Sequence, residues 1–191
     1  MFPVNVPNVL TVLRILLVPV LVVALLDATP SGDLLAAIVF VVASLTDLLD
    51  GYLARTRNAV TTFGKLMDPI ADKLLIIAAL VSLVSLHRLA AWVAMVIIAR
   101  EFAVTAMRMA AGAQGVVIEA SLFGKTKTVM QIAMVLALIA AGDARPLWLD
   151  LLVDATVLVT VLSGVDYFLG LRRRLGQREG EADRAPVDGA A

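Results

Sequence analysis

An all-α integral membrane protein, built as a bundle of six transmembrane helices with a polar site at their cytoplasmic ends, is the fold class this sequence predicts. Three observations lead there. The 191 residues are 61% hydrophobic with a mean hydropathy of +0.95, too apolar for an ordinary soluble domain. The apolar residues gather in runs of about 17–25, the length that crosses a bilayer as helix. Against that hydrocarbon, residues 47–72 carry four aspartates, each costing roughly 2.5–3.5 kcal/mol inside a membrane, so they should face a polar cavity or a bound ion.

The expected spans are 10–28, 34–52, 69–86, 89–107, 126–142 and 147–170. Turn-forming or polar stretches separate them: Asp27 to Asp33 with Pro30 and Gly32, His87-Arg88, and Gly142 to Pro146. In the first span, helix is expected from near Asn8, with Pro7 tolerable as a first helical residue. Asn5, Asn8, Thr11 and Arg14 recur every three residues. Two readings of that stripe stay open: an interfacial helix whose Arg reaches to the headgroups, or a polar face lining the cavity of the carboxylates. Spans two and three bring the aspartates, and span four carries Arg100 within the apolar run Ala90 to Ala106, where a cation needs a partner. Lys125 and Lys127 open span five. After span six come Arg172-Arg173-Arg174, an anchor for anionic lipid, and a stretch expected to be disordered. The domain division is therefore 1–9, a cytoplasmic N-terminal segment; 10–170, the membrane domain; and 171–191, a basic and then disordered tail.

Basic residues give the orientation. With the N-terminus inside, 14 of the 16 Lys and Arg fall on the cytoplasmic side, and only Arg88 and Arg145 fall outside. Both termini and the polar site are thus expected to be cytoplasmic, in a multi-pass protein of the cell's inner (plasma) membrane. The first residues carry no basic stretch, so no cleavable signal peptide is expected. The formal charge is zero, which gives no support to nucleic acid as a partner. With no Cys, a disulfide framework, a thiol nucleophile and a Cys metal site are excluded.

The aspartate region reads Asp47-x2-Asp50-Gly51-x2-Ala54-Arg55-x8-Gly64-x3-Asp68-x3-Asp72. Asp47 and Asp50 are i,i+3, and Asp68 and Asp72 are i,i+4, so each pair shares a helix face. Span two ends inward and span three begins inward, so the two faces can converge on one or two divalent cations. Oxygen-only donors favour Mg2+ or Mn2+, and the lone His87 falls on the opposite side. Gly51 lets a ligand approach the backbone closely, and Ala54 keeps that face shallow. Arg55 offers a planar fork to phosphate. Gly64 permits a sharp turn back into the bilayer. Asp68-Pro69 reads as an N-cap followed by Pro at the first helical position. Taken singly, each Asp could be a helix-end residue neutralised by Arg55, Arg57, Lys65 or Lys73; four in register with the glycines, Ala54 and Arg55 are not explained that way.

This 26-residue pattern resembles the signature of the CDP-alcohol phosphatidyltransferase family at every fixed position. The resemblance implies an enzyme that moves a phosphatidyl group from a CDP-linked lipid to an alcohol and releases CMP. It implies metal-ligand roles for Asp47, Asp50 and Asp68. For Asp72 it implies a general base that takes the proton of the acceptor hydroxyl and also contacts metal. Two Mg2+ or Mn2+ ions, roughly 3.5–4 Å apart, would clamp the diphosphate. Gly51, Ala54, Arg55, Thr61 and Gly64, with Asn8 and Thr11, become contacts for CDP-diacylglycerol. The resemblance also implies a homodimer, and membrane lipid surrounds the site.

The acceptor must be chosen elsewhere. Arg100, Arg108, Lys125 and Lys127 return to the cytoplasmic side and suit an alcohol that itself carries phosphate, although positive-inside anchoring explains any one of them alone. Asn8-Val9-Leu10-Thr11-x2-Arg14, Phe63-Gly64-Lys65-x2-Asp68-Pro69-x-Ala71-Asp72-Lys73, Ala99-Arg100-Glu101 and Gly124-Lys125-x-Lys127-Thr128 are similar to the bacterial phosphatidylglycerophosphate synthase branch of the family. That likeness implies glycerol 3-phosphate as acceptor and phosphatidylglycerol phosphate as product. The competing acceptors are inositol phosphate and phosphatidylglycerol. Readings from other classes are a divalent-cation transporter, because intramembrane acids often mark ion paths, and an inactive scaffold.

Overall fold

The computed structural model describes the backbone of residues 6–57, 62–113 and 122–182, and the side chains of residues 9, 12–46, 73–113 and 124–174. Six α-helices and no strand occur among them: α1 (Val6–Leu26), α2 (Pro30–Arg57), α3 (Thr62–Ser85), α4 (Ala91–Ala113), α5 (Leu122–Ala141) and α6 (Leu147–Ala182). Each expected span has its helix, in the expected order. The helices outrun the apolar stretches, because helical hydrogen bonding does not stop where hydrocarbon does. Thus α2 runs on to Arg57 and α6 to Ala182, and the expected tail begins as helix. Helix α1 starts at Val6, inside the segment assigned to 1–9.

One expectation is corrected outright. Asp68-Pro69 lies within α3, which begins at Thr62, so Asp68 is not an N-cap and Pro69 is not a first helical residue. Such a proline removes one hydrogen bond to the carbonyl four residues back; the helix continues through it. A genuine cap of that type occurs at α2, where the Thr29 hydroxyl accepts the Gly32 N–H at 3.0 Å and Pro30 follows as the first helical residue. Gly32 is needed there, since a Cβ would stand 2.5 Å from the Ala24 carbonyl of α1.

Helix α1 packs along both α2 and α3, which touch each other over a shorter stretch; α6 packs on α4 and α5, and α5 joins the two groups through α2 and α3. The shared core contains Leu21 and Leu25 of α1, Phe40 of α2, Leu80 and Leu83 of α3, Ile97 of α4, and Met134 and Leu138 of α5. Fully buried Ala36, Ala43 and Ala79 let the helices approach closely.

The exterior is apolar as well. Val23, Met95, Met109 and Leu147 are each at least two-thirds exposed, an outer surface that suits hydrocarbon and not water. Gly124–Ala141 and Leu147–Arg174, of 18 and 28 residues, are long and apolar enough to cross a membrane. The described apolar parts of α1, α2 and α3 are shorter. Together these features indicate a membrane-embedded helical bundle.

At one end the turns are bolted together. Arg88, in the α3–α4 turn and only 6% exposed, donates through Nη1 to Asp33 at 2.6 Å and through Nε to Asp143 at 3.3 Å. It thereby joins the start of α2 to the α5–α6 turn. The Asp33 hydrogen bond is the main reason the guanidinium pKa is raised above its ordinary value. Arg145 adds a bond to the His87 carbonyl at 2.8 Å. His87 and Gly142 end α3 and α5 in left-handed conformation. His87 is thus at the end of α3 remote from Asp72, about 20 Å away along the helix at 1.5 Å per residue.

Candidate functional site

Asp47, Asp50, Gly51, Ala54 and Arg55 lie on α2, Gly64, Asp68 and Asp72 on α3, and Asn8 and Thr11 on α1. Their backbones are helical, so the i,i+3 and i,i+4 spacings do put each acidic pair on one helix face. Their side chains lie outside the described residues, and Thr61 lies outside them entirely. Among the described residues, no group of three or more His, Asp or Glu converges in a way that could hold a metal ion. Arg14, one turn past Thr11 on α1, is 2% exposed. So deep a burial does not suit a side chain that reaches out to the headgroups.

Beside this stretch the described side chains form a second polar centre. Glu101 of α4 accepts a hydrogen bond from the Lys127 ammonium of α5 and lies 3.5 Å from Arg100 Nη1. Arg100 Nη2 donates to the Ser163 hydroxyl of α6 at 2.6 Å. Lys127 is 5% exposed and Ser163 1%. The partner that Arg100 requires inside an apolar run is therefore double: a neighbouring carboxylate and a hydroxyl on another helix. Gly164 makes room for it, since a Cβ there would meet Arg100 Cγ at 3.3 Å. One turn beyond Lys127, Gln131 faces Thr160 of α6 at 3.4 Å, extending the polar seam between α5 and α6.

Two of the four cations expected at the acceptor site, Arg100 and Lys127, are brought together. Arg108 lies over the Tyr167 ring at 5.8 Å, a cation–π contact, and is near enough to act electrostatically on Arg100. Lys125 is exposed and stands apart from the Glu101 cluster, because a two-residue offset turns it away from the face of Lys127. Lys73, the residue after Asp72 on α3, acts electrostatically on both Glu101 and Lys127. The cationic centre therefore adjoins the helical turn that ends the aspartate signature. Buried Arg100 Nε and the Tyr167 hydroxyl have no hydrogen-bond partner among the described residues.

Glu101, Ser163 and Tyr167 were not among the expected site residues. Glu101 had a signal, being a carboxylate in an apolar run that has to be neutralised. Ser163 and Tyr167 had none, since a Ser and a Tyr in a span are ordinary residues until α6 is seen to pack on α4.

The sequence model for CDP-alcohol phosphatidyltransferases matches residues 4–165. The chain belongs to that family. It is accordingly an enzyme, which sets aside the cation-transporter and scaffold readings. A Bacillus subtilis protein named CDP-diacylglycerol–glycerol-3-phosphate 3-phosphatidyltransferase is 42% identical over 180 residues, covering 86% of this chain and 93% of that protein. A Rickettsia bellii protein of the same name is 34% identical over 174 residues, covering 88% and 96%. One from Haemophilus influenzae is 38% identical over 133 residues, covering 67% and 71%.

Proposed function

We propose that this phosphatidyltransferase uses glycerol 3-phosphate as its acceptor, forming phosphatidylglycerol phosphate and CMP from CDP-diacylglycerol. The observation that carries the acceptor assignment is the buried cluster of Arg100, Glu101 and Lys127, within electrostatic reach of the Lys73 that follows Asp72. Cations in excess over carboxylate, next to the catalytic signature, suit an alcohol bearing a phosphate. The names of the relatives point the same way.

Asp47, Asp50, Asp68 and Asp72 are the proposed holders of a divalent metal, since their donor set is oxygen only and each pair shares a helix face. Mg2+ or Mn2+ bound there, as two ions, would supply charge that stabilises the diphosphate and the leaving CMP. Asp72 takes the proton from the acceptor hydroxyl. Gly51, Ala54 and Gly64 leave room for the nucleotide on their helices, since Gly64 lies within α3 and does not make the turn expected of it, and Arg55 holds a phosphate of CDP-diacylglycerol. Asn8, Thr11 and Thr61 complete that side. Arg100, Arg108 and Lys127 hold the acceptor phosphate, and exposed Lys125 draws the anion in.

The proposed setting is the inner (plasma) membrane, crossed six times, with both termini and the site cytoplasmic, a reading that the distribution of Lys and Arg supports. Residues 10–170 are the proposed catalytic domain, and the protein is proposed to act as a homodimer. Acyl chains then stay in hydrocarbon while the charged head reaches the aspartates. The test is CMP release from labelled CDP-diacylglycerol in membranes carrying the chain, with glycerol 3-phosphate, inositol phosphate or phosphatidylglycerol added singly. Release with glycerol 3-phosphate is expected; release with only one of the others overturns the assignment.

A further inference from the structure

We propose that Glu101 is a positioning residue for the acceptor: its carboxylate gathers Lys127 of α5 and Arg100 of α4 within electrostatic reach of Lys73 of α3, and so presents a net-positive cluster to a phosphate monoester. The inference rests on the glycerol 3-phosphate reading above and gives Glu101, a member of the cluster that carries it, a role of its own.

Three helices meet at this carboxylate. The Glu101 carboxylate is largely buried, and it receives the side chains of buried Lys127 and largely buried Arg100. Lys73 acts on the pair from α3, and Arg108 acts on Arg100 from two turns further along α4. Among the described side chains, three cations thus act on one carboxylate, with Arg108 behind Arg100, and the excess is positive. A phosphate monoester, carrying nearly two negative charges at neutral pH, is the class of ligand that balances it.

The carboxylate matters before the ligand arrives. A buried ammonium without a counter-ion sheds its proton, and like charges held together repel one another. Glu101 supplies the counter-ion that buried Lys127 and largely buried Arg100 share. It also sets the attitude of Arg100. Glu101 engages Nη1 while Ser163 holds Nη2 at 2.6 Å, and Gly164 lets the stem lie against α6. Nε, buried and without a partner among the described residues, is left for an acceptor oxygen. A carboxylate that only pinned α4 to α5 would do none of this selectively; its loss would weaken the whole protein.

The two roles separate in the kinetics. Wild-type protein in membranes is first assayed with CDP-diacylglycerol and glycerol 3-phosphate; absence of CMP release there defeats the acceptor reading itself. With that activity present, Glu101→Gln is expected to raise the glycerol 3-phosphate KM about tenfold or more, with the CDP-diacylglycerol KM changed less than about twofold. Glu101→Asp, which keeps the charge, is expected to recover part of the loss. An unchanged acceptor KM in Glu101→Gln, or equal movement of both KM values, overturns the inference. If Glu101→Gln does not accumulate in the membrane, Glu101→Asp decides alone: a rise confined to the acceptor KM supports the role, and any other pattern overturns it.

Discussion

The 2.6 Å hydrogen bond from Arg100 Nη2 to the Ser163 hydroxyl carries a guanidinium of α4 across to α6. A cation in the middle of an apolar run is thereby fixed at a place that neither helix specifies alone. Replacing Arg100 by Ala is expected to raise the glycerol 3-phosphate KM far more than that of CDP-diacylglycerol. Ser163→Ala should show the same selectivity in weaker form. Losing a hydrogen bond to a charged group costs about 1.5–3 kcal/mol, so a rise of about tenfold is the scale to look for. Steady-state kinetics with each substrate varied in turn reads both effects, and an acceptor KM unmoved by Arg100→Ala removes that residue from the site.

Asp72→Asn keeps the size and shape of the side chain while removing its ability to take a proton. Turnover is expected to vanish, with CDP-diacylglycerol binding largely kept. Binding measured by equilibrium partition of labelled lipid-nucleotide, beside CMP release, separates the two. Equal loss of both would argue against the general-base role.

Arg88 should matter to stability and not to catalysis, because it lies at the end of the bundle remote from Asp72. Arg88→Met is expected to cost roughly 1.5–3 kcal/mol, the worth of a charge-assisted hydrogen bond, seen as a lower unfolding midpoint in detergent with both KM values unchanged. The raised guanidinium pKa, due chiefly to Asp33, also gives a sign for alkaline pH. That contribution is complete below the ordinary guanidinium value and is lost only as pH climbs past the raised one. Mildly alkaline titration should therefore leave the wild-type midpoint unaffected by this group; a drop that Arg88→Met abolishes would contradict the assignment.

How much of this was legible from residues alone varies with range. The six helices were, because each apolar run is long enough to report itself. Their ends were not: an apolar run marks hydrocarbon, and α2 and α6 continue as helix well past it, to Arg57 and Ala182. Asp68-Pro69 misled for a related reason, since a local cap-and-proline pattern says nothing about the helical residues 62–67 in front of it. The aspartate signature was legible because its spacing lies within single helices. The partners of Arg100 across α4 and α6, and of Lys127 across α4 and α5, were not, because an intramembrane cation announces only that some partner exists. Which partner it finds depends on helix-to-helix register, and that emerges only once Gly164 and Ser163 of α6 are packed against Arg100.

The central claim is that the aspartates of α2 and α3 act with a divalent metal on CDP-diacylglycerol while a phosphate-bearing alcohol attacks. The most direct measurement is CMP release from CDP-diacylglycerol and glycerol 3-phosphate by purified protein after exhaustive chelation, followed by addition of Mg2+ or Mn2+. Loss of turnover on chelation and its return with the metal, with no return in Asp47→Asn or Asp68→Asn, is the expected result. Full turnover in the chelated wild-type protein, or in either variant, would contradict it.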